Sequence, residues 1–123
     1  MMTMSDKIKI LYIDDEEINV QLFQIIFSKN YEVLTGYSGF EGIEILAEHI
    51  DTAVVISDLK MPVMNGLEFI KKAKEKYPNK KYYILSGFEI TAEIKEALDS
   101  GLIHKYFGKP FNLQEIERAI NKQ

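Results

Sequence analysis

The chain has 123 residues, 46% of them apolar, which suits one ordinary domain around one core. Fifteen basic residues against nineteen acidic ones leave a net charge of −4, which argues against direct nucleic-acid binding, a function that needs a basic face. The lack of cysteine excludes disulfide frameworks and thiolate metal sites, and no apolar run approaches the roughly 20 residues that cross a bilayer; a cytoplasmic location without membrane contact is expected.

The first seven residues, MMTMSDK, carry no apolar core of the kind a signal peptide needs. Residues 1–6 are expected to fray, and residues 7–123 to form the single domain. From there, apolar runs of strand length alternate with stretches of helical period. Strands are expected at Lys7–Ile13, Tyr31–Tyr37, Ala53–Ser57, Lys81–Leu85 and His104–Phe107. The first, third and fourth are nearly continuous hydrophobic runs, as parallel strands buried on both faces should be. Ile18, Leu22 and Ile25/Ile26 mark a first helix, and Phe40, Ile43, Ala47 and Ile50 a second. Leu67, Ile70, Ala73 and Tyr77 mark the third, Ile90, Ile94, Ala97 and Leu98 the fourth, and Leu113, Ile116 and Ile120 the fifth. Pro78-Asn79 and Ser100-Gly101 stop the third and fourth, and Asn112 is a good N-cap for the fifth. Five strands alternating with five helices through short loops predict an α/β fold, a doubly wound parallel sheet with helices on both faces.

Polar residues sit where four of those strands should end: Asp14-Asp15 after IKILYI, Asp58 after TAVVIS, Ser86 after YYIL, and Lys109 after HKYFG. In a parallel open sheet the carboxyl ends share one edge, where ligands bind. Three carboxylates, a hydroxyl and an ammonium would therefore converge. Two carboxylates about 4 Å apart repel by roughly 4 kcal/mol at an effective dielectric of 20, so such a cluster calls for a proton or a cation. Hard oxygen ligands without histidine or cysteine suit Mg²⁺ or Mn²⁺ rather than zinc. An aspartate is itself a competent nucleophile toward phosphorus, and Ser86 and Lys109 offer a hydroxyl donor and a compact cation for a phosphoryl group. Taken singly, each residue also has an ordinary reading: the acids and Ser86 as caps, Lys109 as a solvated loop charge. His49 and His104 are single and distant in sequence and read as structural, and Lys71, Lys72, Lys74 and Lys76 as a solvated helix face.

The order and setting of Asp14, Asp15, Asp58, Met61-Pro62, Asn65-Gly66, Ser86 and Lys109-Pro110-Phe111 resemble the receiver domain of two-component response regulators over essentially the whole chain. The resemblance implies a (βα)5 flavodoxin-like fold with strand order 2-1-3-4-5. It implies a phosphoprotein whose Asp58 accepts a phosphoryl group from a sensor histidine kinase or a phosphotransfer protein, a signalling phosphoacceptor rather than an enzyme in its own right. Asp15, Asp58 and the backbone carbonyl of Lys60 would ligate Mg²⁺, with Asp14 acting largely through water. Ser86 and Lys109 would contact the phosphoryl group, and Lys109-Pro110 would be cis. Tyr106, three residues before Lys109, falls where the family carries an aromatic switch coupled to Ser86. That switch would remodel the face made by the fourth helix, fifth strand and fifth helix, for a downstream protein, a fused output domain outside these residues, or a phosphorylation-dependent homodimer.

Three departures stand out. Ser86 replaces the more frequent threonine. GLIHKYFGKPF holds one residue more than usual between Gly101 and Lys109, similar to receivers joined to cyclic-dinucleotide phosphodiesterases. Lys60 and Phe88 are large where they should border the path of attacking water, which predicts slow self-dephosphorylation. Other readings fit less well. An aspartate-nucleophile phosphatase would want an acid where Lys60 stands. A nucleotide- or flavin-binding domain would want a Gly- or Ser/Thr-rich loop in place of YIDDEE. A degenerate receiver, binding partners without phosphorylation, ranks below the active reading because all five site residues are present.

Overall fold

Successive side chains of a strand point to opposite faces of its sheet, and the central strands here are apolar at both sets of positions. In the computed structural model, which describes residues 7–87 and 89–121, these are β1 (Lys9–Ile13), β3 (Val54–Ser57) and β4 (Lys81–Ser86). They are flanked by β2 (Glu32–Gly36) and β5 (Lys105–Gly108). All pairings are parallel, in the order β2-β1-β3-β4-β5. The expected frayed segment at residues 1–6 lies outside the described residues.

The alternation divides the core in two. Leu11, Ile13, Val55, Tyr82 and Ile84 face α2 (Gly39–Glu48), α3 (Gly66–Lys76) and α4 (Ala92–Asp99). Ile10, Tyr12, Val54, Ile56, Tyr83 and Leu85 face α1 (Glu17–Phe27) and α5 (Leu113–Asn121). Each fully buried aliphatic or phenyl side chain contributes about 1.5–3 kcal/mol by leaving water. Helix starts follow local chemistry. Ser38, Asn65, Thr91 and Asn112 each accept a backbone N–H three residues on, and Glu68 returns a bond to Asn65 to complete a capping box.

Two helices present a different face from the one their sequence suggests. In α1, Ile18, Leu22 and Ile25 are exposed, whereas Val20, Phe23 and Phe27 are buried and Ile26 packs against them. In α2, Phe40 and Ala47 are exposed, as is Ile50 beyond its end, whereas Gly39, Gly42 and Leu46 face inward and Ile43 packs against the core. The reason in α2 is proximity. A Cβ on Gly42 would stand 2.6 Å from the Phe69 ring, and one on Gly39 would stand 2.6 Å from Met64 Sδ, so glycines line the contact with α3.

Candidate functional site

The sheet reverses its strand order at β1, whose neighbours β2 and β3 lead away in opposite directions. Such a switch point opens a crevice at the carboxyl ends of the strands. Asp14 and Asp15 leave β1 there. The Asp58 N–H donates to the Ile13 carbonyl at 2.8 Å, extending the β1–β3 ladder by one step and bringing Asp58 alongside Asp14. Asp14 and Asp58 are buried, Asp15 is exposed, and each offers a carboxylate oxygen within 4.8 Å of the other two.

Lys109 reaches the pair from the far side. Its backbone N–H donates to the Ser86 carbonyl at 3.0 Å, tying the end of β5 to the end of β4. From that anchor Nζ lies 2.8 Å from Asp14 Oδ2 and 3.2 Å from Asp58 Oδ1. The Lys109-Pro110 bond is cis, as the family resemblance implied. Ser86 is fully buried, and its carbonyl also accepts the Tyr106 hydroxyl at 3.2 Å. Lys60 is exposed and lines a small cavity with Asn65, Thr91 and Glu93; Phe88 lies outside the described residues. His49 closes α2 and His104 directly precedes β5.

Burial pushes the Asp58 carboxyl up to about 6, and the negative charge of Asp14 adds to the effect, against the opposing pull of Lys109. Desolvation by itself would lower Lys109. Its hydrogen bonds and charge pairing with Asp14 and Asp58 outweigh that and hold it above the ordinary lysine value.

The sequence reading left one participant among the core aromatics. Tyr12 donates its hydroxyl to Asp14 Oδ2 at 2.7 Å, inside the protein. A phenol in the otherwise aliphatic run KILYI, two positions before an acid, was the available signal. The Asp14 carboxylate is held on both oxygens, because Oδ1 accepts the Glu16 N–H at 3.0 Å.

Three carboxylates, joined by no histidine or cysteine among the described residues and one with its proton affinity raised, make a donor set that fits a hard divalent cation. The profile described as "Response regulator receiver domain" matches residues 10–121. The chain is 28% identical to sporulation initiation phosphotransferase F of Bacillus subtilis, over 93% of this chain and 91% of that protein. It is 39% identical to the uncharacterized transcriptional regulatory protein YesN of the same organism, over 69% of this chain but only 23% of that protein. Among solved structures, the response regulator TrrA of Thermotoga maritima, in complex with Mg²⁺ and BeF, superimposes with a TM-score of 0.79 at 26% identity. That match covers 94% of this chain and 97% of the other. Receiver domains are signalling modules that generally bind Mg²⁺ at an acidic pocket, and this chain belongs to that family, the receiver domains of two-component response regulators.

Proposed function

We propose that Asp58 is the phosphoacceptor of a phosphorelay, taking its phosphoryl group from a sensor histidine kinase or a phosphotransfer protein. The observation that carries this reading is the pairing of a buried Asp58 with Asp14 and Lys109 at the switch point of the sheet. An Asp58 carboxyl near 6 is mostly ionised at neutral pH, so an oxygen of the side chain is available as nucleophile. That oxygen attacks phosphorus, the bond from phosphorus to the donor's imidazole nitrogen breaks, and the electron pair leaves with the imidazole. Lys109 and Ser86 then hold phosphoryl oxygens. Asp15, Asp58 and the Lys60 carbonyl would hold Mg²⁺ or Mn²⁺, with Asp14 bound through water, and the ion when bound supplies neutralising charge to the phosphoryl oxygens.

The onward signal rests on Tyr106. Its hydroxyl meets the Ser86 carbonyl and its ring packs against the α3–α4 side of the core, so a change at Ser86 alters what the ring rests on. The population then shifts between two packings of the α4–β5–α5 face. A downstream protein, a fused output domain or a second copy of the chain would read that face. In this reading residues 7–123 act as one cytoplasmic receiver unit, a phosphoacceptor that assists its own phosphorylation and dephosphorylation.

Incubation with acetyl phosphate or phosphoramidate and Mg²⁺, followed by intact mass, tests the reading. One phosphoryl mass should be added to the parent and none to Asp58→Asn; equal labelling of the Asn variant refutes the assignment. Asp15→Ala should abolish the thermal response to Mg²⁺, and a variant that responds like its parent refutes the ligand set.

A further inference from the structure

Asp14 Oδ2 accepts two hydrogen bonds, one from Tyr12 at 2.7 Å and one from Lys109 at 2.8 Å. A fully buried carboxylate oxygen left without a donor is costly, so the two donors are not redundant. Lys109 has a second duty, since its ammonium also spans to Asp58 Oδ1 at 3.2 Å. Tyr12 has none. Its ring is fixed by stacking on Phe23, with centroids 4.2 Å apart and planes 6° apart, and Phe23 stacks in turn on Phe27 at 4.2 Å. Phe111, directly after the cis Lys109-Pro110 bond, packs edge-on to Phe23. The hydroxyl therefore stands on a rigid aromatic column and cannot follow a moving partner.

We propose that Tyr12 is a positioning residue that holds Asp14 while Lys109 transfers its ammonium from Asp14 to the phosphoryl group on Asp58. The proposal rests on the phosphoacceptor reading above. A phosphoryl group on Asp58 places its oxygens beyond the carboxylate, so the lysine that follows them loosens from Asp14 Oδ2. With Tyr12 in place, that oxygen keeps one donor and the transfer leaves no bare buried charge. Without the hydroxyl, Lys109 is the one side-chain donor left to Oδ2 among the described residues and is held back. The same loss of a donor leaves Asp14 with more of its negative charge, which favours a cation. The two ligands of the site are thus affected in opposite directions.

The test uses the full chain and its Tyr12→Phe variant, which keeps the ring and its stacking. Each is titrated calorimetrically with Mg²⁺ alone, then with beryllofluoride, a phosphoryl mimic, at saturating Mg²⁺. Beryllofluoride should bind the variant about tenfold more weakly, while Mg²⁺ binds it equally or more tightly. Ile120→Val, in the same half of the core but outside the aromatic column, is the packing control: it should lower the melting temperature while leaving the ratio of the two affinities unchanged. Equal beryllofluoride affinity in parent and Tyr12→Phe overturns the proposal. So does a parallel weakening of both ligands, or an Ile120→Val variant whose ratio shifts as far as that of Tyr12→Phe. A parent that binds Mg²⁺ but no beryllofluoride overturns the phosphoacceptor reading itself, and this proposal with it.

Discussion

Gly66 lies directly against the backbone carbonyl of Asp58: a Cβ at position 66 would stand 2.2 Å from that oxygen. The contact is made as the chain leaves β3, loops through Met61–Asn65 and enters α3. The Gly66 N–H donates back to the Leu59 carbonyl at 2.8 Å. The loop is thereby folded tightly onto the backbone of the candidate phosphoacceptor, and no side chain fits between them.

Gly66→Ala should therefore act on the site as well as on stability. Alanine is favoured over glycine in a helix by about 1 kcal/mol, but overpacking against backbone costs about 1–3 kcal/mol, and a 2.2 Å approach belongs at the upper end. Urea unfolding should show a net loss of about 1–2 kcal/mol. Labelling by acetyl phosphate should slow together with it, because Asp58 moves with the displaced loop. A variant of parental stability and labelling rate would show that the loop yields freely.

Val63, in the same loop, predicts the opposite sign. It is 88% exposed and sits at φ 69°, a left-handed conformation that costs a residue with a Cβ roughly 1–2 kcal/mol. Its side chain gains little packing in return. Val63→Gly relieves the strain and loses part of that gain to the larger entropy of the unfolded chain, leaving a stabilisation of about 0.5–1 kcal/mol. An unchanged denaturation midpoint would mean that the valine makes contacts worth as much as the strain.

The strands were legible in the sequence because burial on both faces demands continuous apolar runs, as in KILYI and VVIS. Asp14, Asp58 and Ser86 were legible because each ends such a run, and Lys109 because it follows the shorter fifth strand. What was not legible is which face of α1 and α2 turns inward. Phe40 and Ile50 outrank Gly39 and Gly42 on any hydrophobicity scale, yet the glycines face the core because α2 approaches Phe69 and Met64 too closely for a side chain. In α1 both sides are apolar, so Ile18, Leu22 and Ile25 compete with Val20, Phe23 and Phe27, and only the aromatic column with Tyr12 and Phe111 decides. Tyr12 escaped notice for a related reason: an aromatic in a buried strand reads as core, and the reach of its hydroxyl is a three-dimensional fact.

Asp58 should make stability fall as pH rises. Its folded value near 6 stands above the ordinary 3.8, so the folded state holds this proton more firmly than the unfolded one. The penalty for ionising it is absent below about pH 4, grows between pH 4 and 6, and is complete above that. A shift from 3.8 to about 6 corresponds to an upper bound of about 3 kcal/mol, and losing the Lys109 contact reduces the net gain. Asp58→Asn in metal-free buffer should thus be more stable than the parent at pH 7.5, and the advantage should shrink toward pH 4.5. Melting temperatures at the two values decide it; an advantage that does not vary with pH would place the effect elsewhere than in ionisation.

His104 should contribute with the opposite slope. Here the main chain of β4 is completed by a side chain: the Tyr82 N–H donates to His104 Nδ1 at 3.1 Å, while the His104 N–H donates to the Tyr82 carbonyl at 2.7 Å. The imidazole lies in the segment between α4 and β5, and does there what a strand carbonyl would otherwise do. Nδ1 can accept only in the neutral ring. Desolvation, then the charge of Lys74 on α3 and of Lys81 on β4, lowers the histidine below its ordinary 6.5 and so favours that form. The stabilisation is therefore fully present above pH 6.5 and lost as pH falls through the lower folded value. One neutral hydrogen bond is worth about 0.5–1.5 kcal/mol, and His104 is exposed, so the low end applies. His104→Asn offers an acceptor oxygen near the Nδ1 position without titrating. Compared in the Asp58→Asn background, which removes the opposing slope, the histidine form should lose more melting temperature between pH 7.5 and 5 than the asparagine form. Equal losses in both would show that the Tyr82 bond does not depend on the charge of the ring.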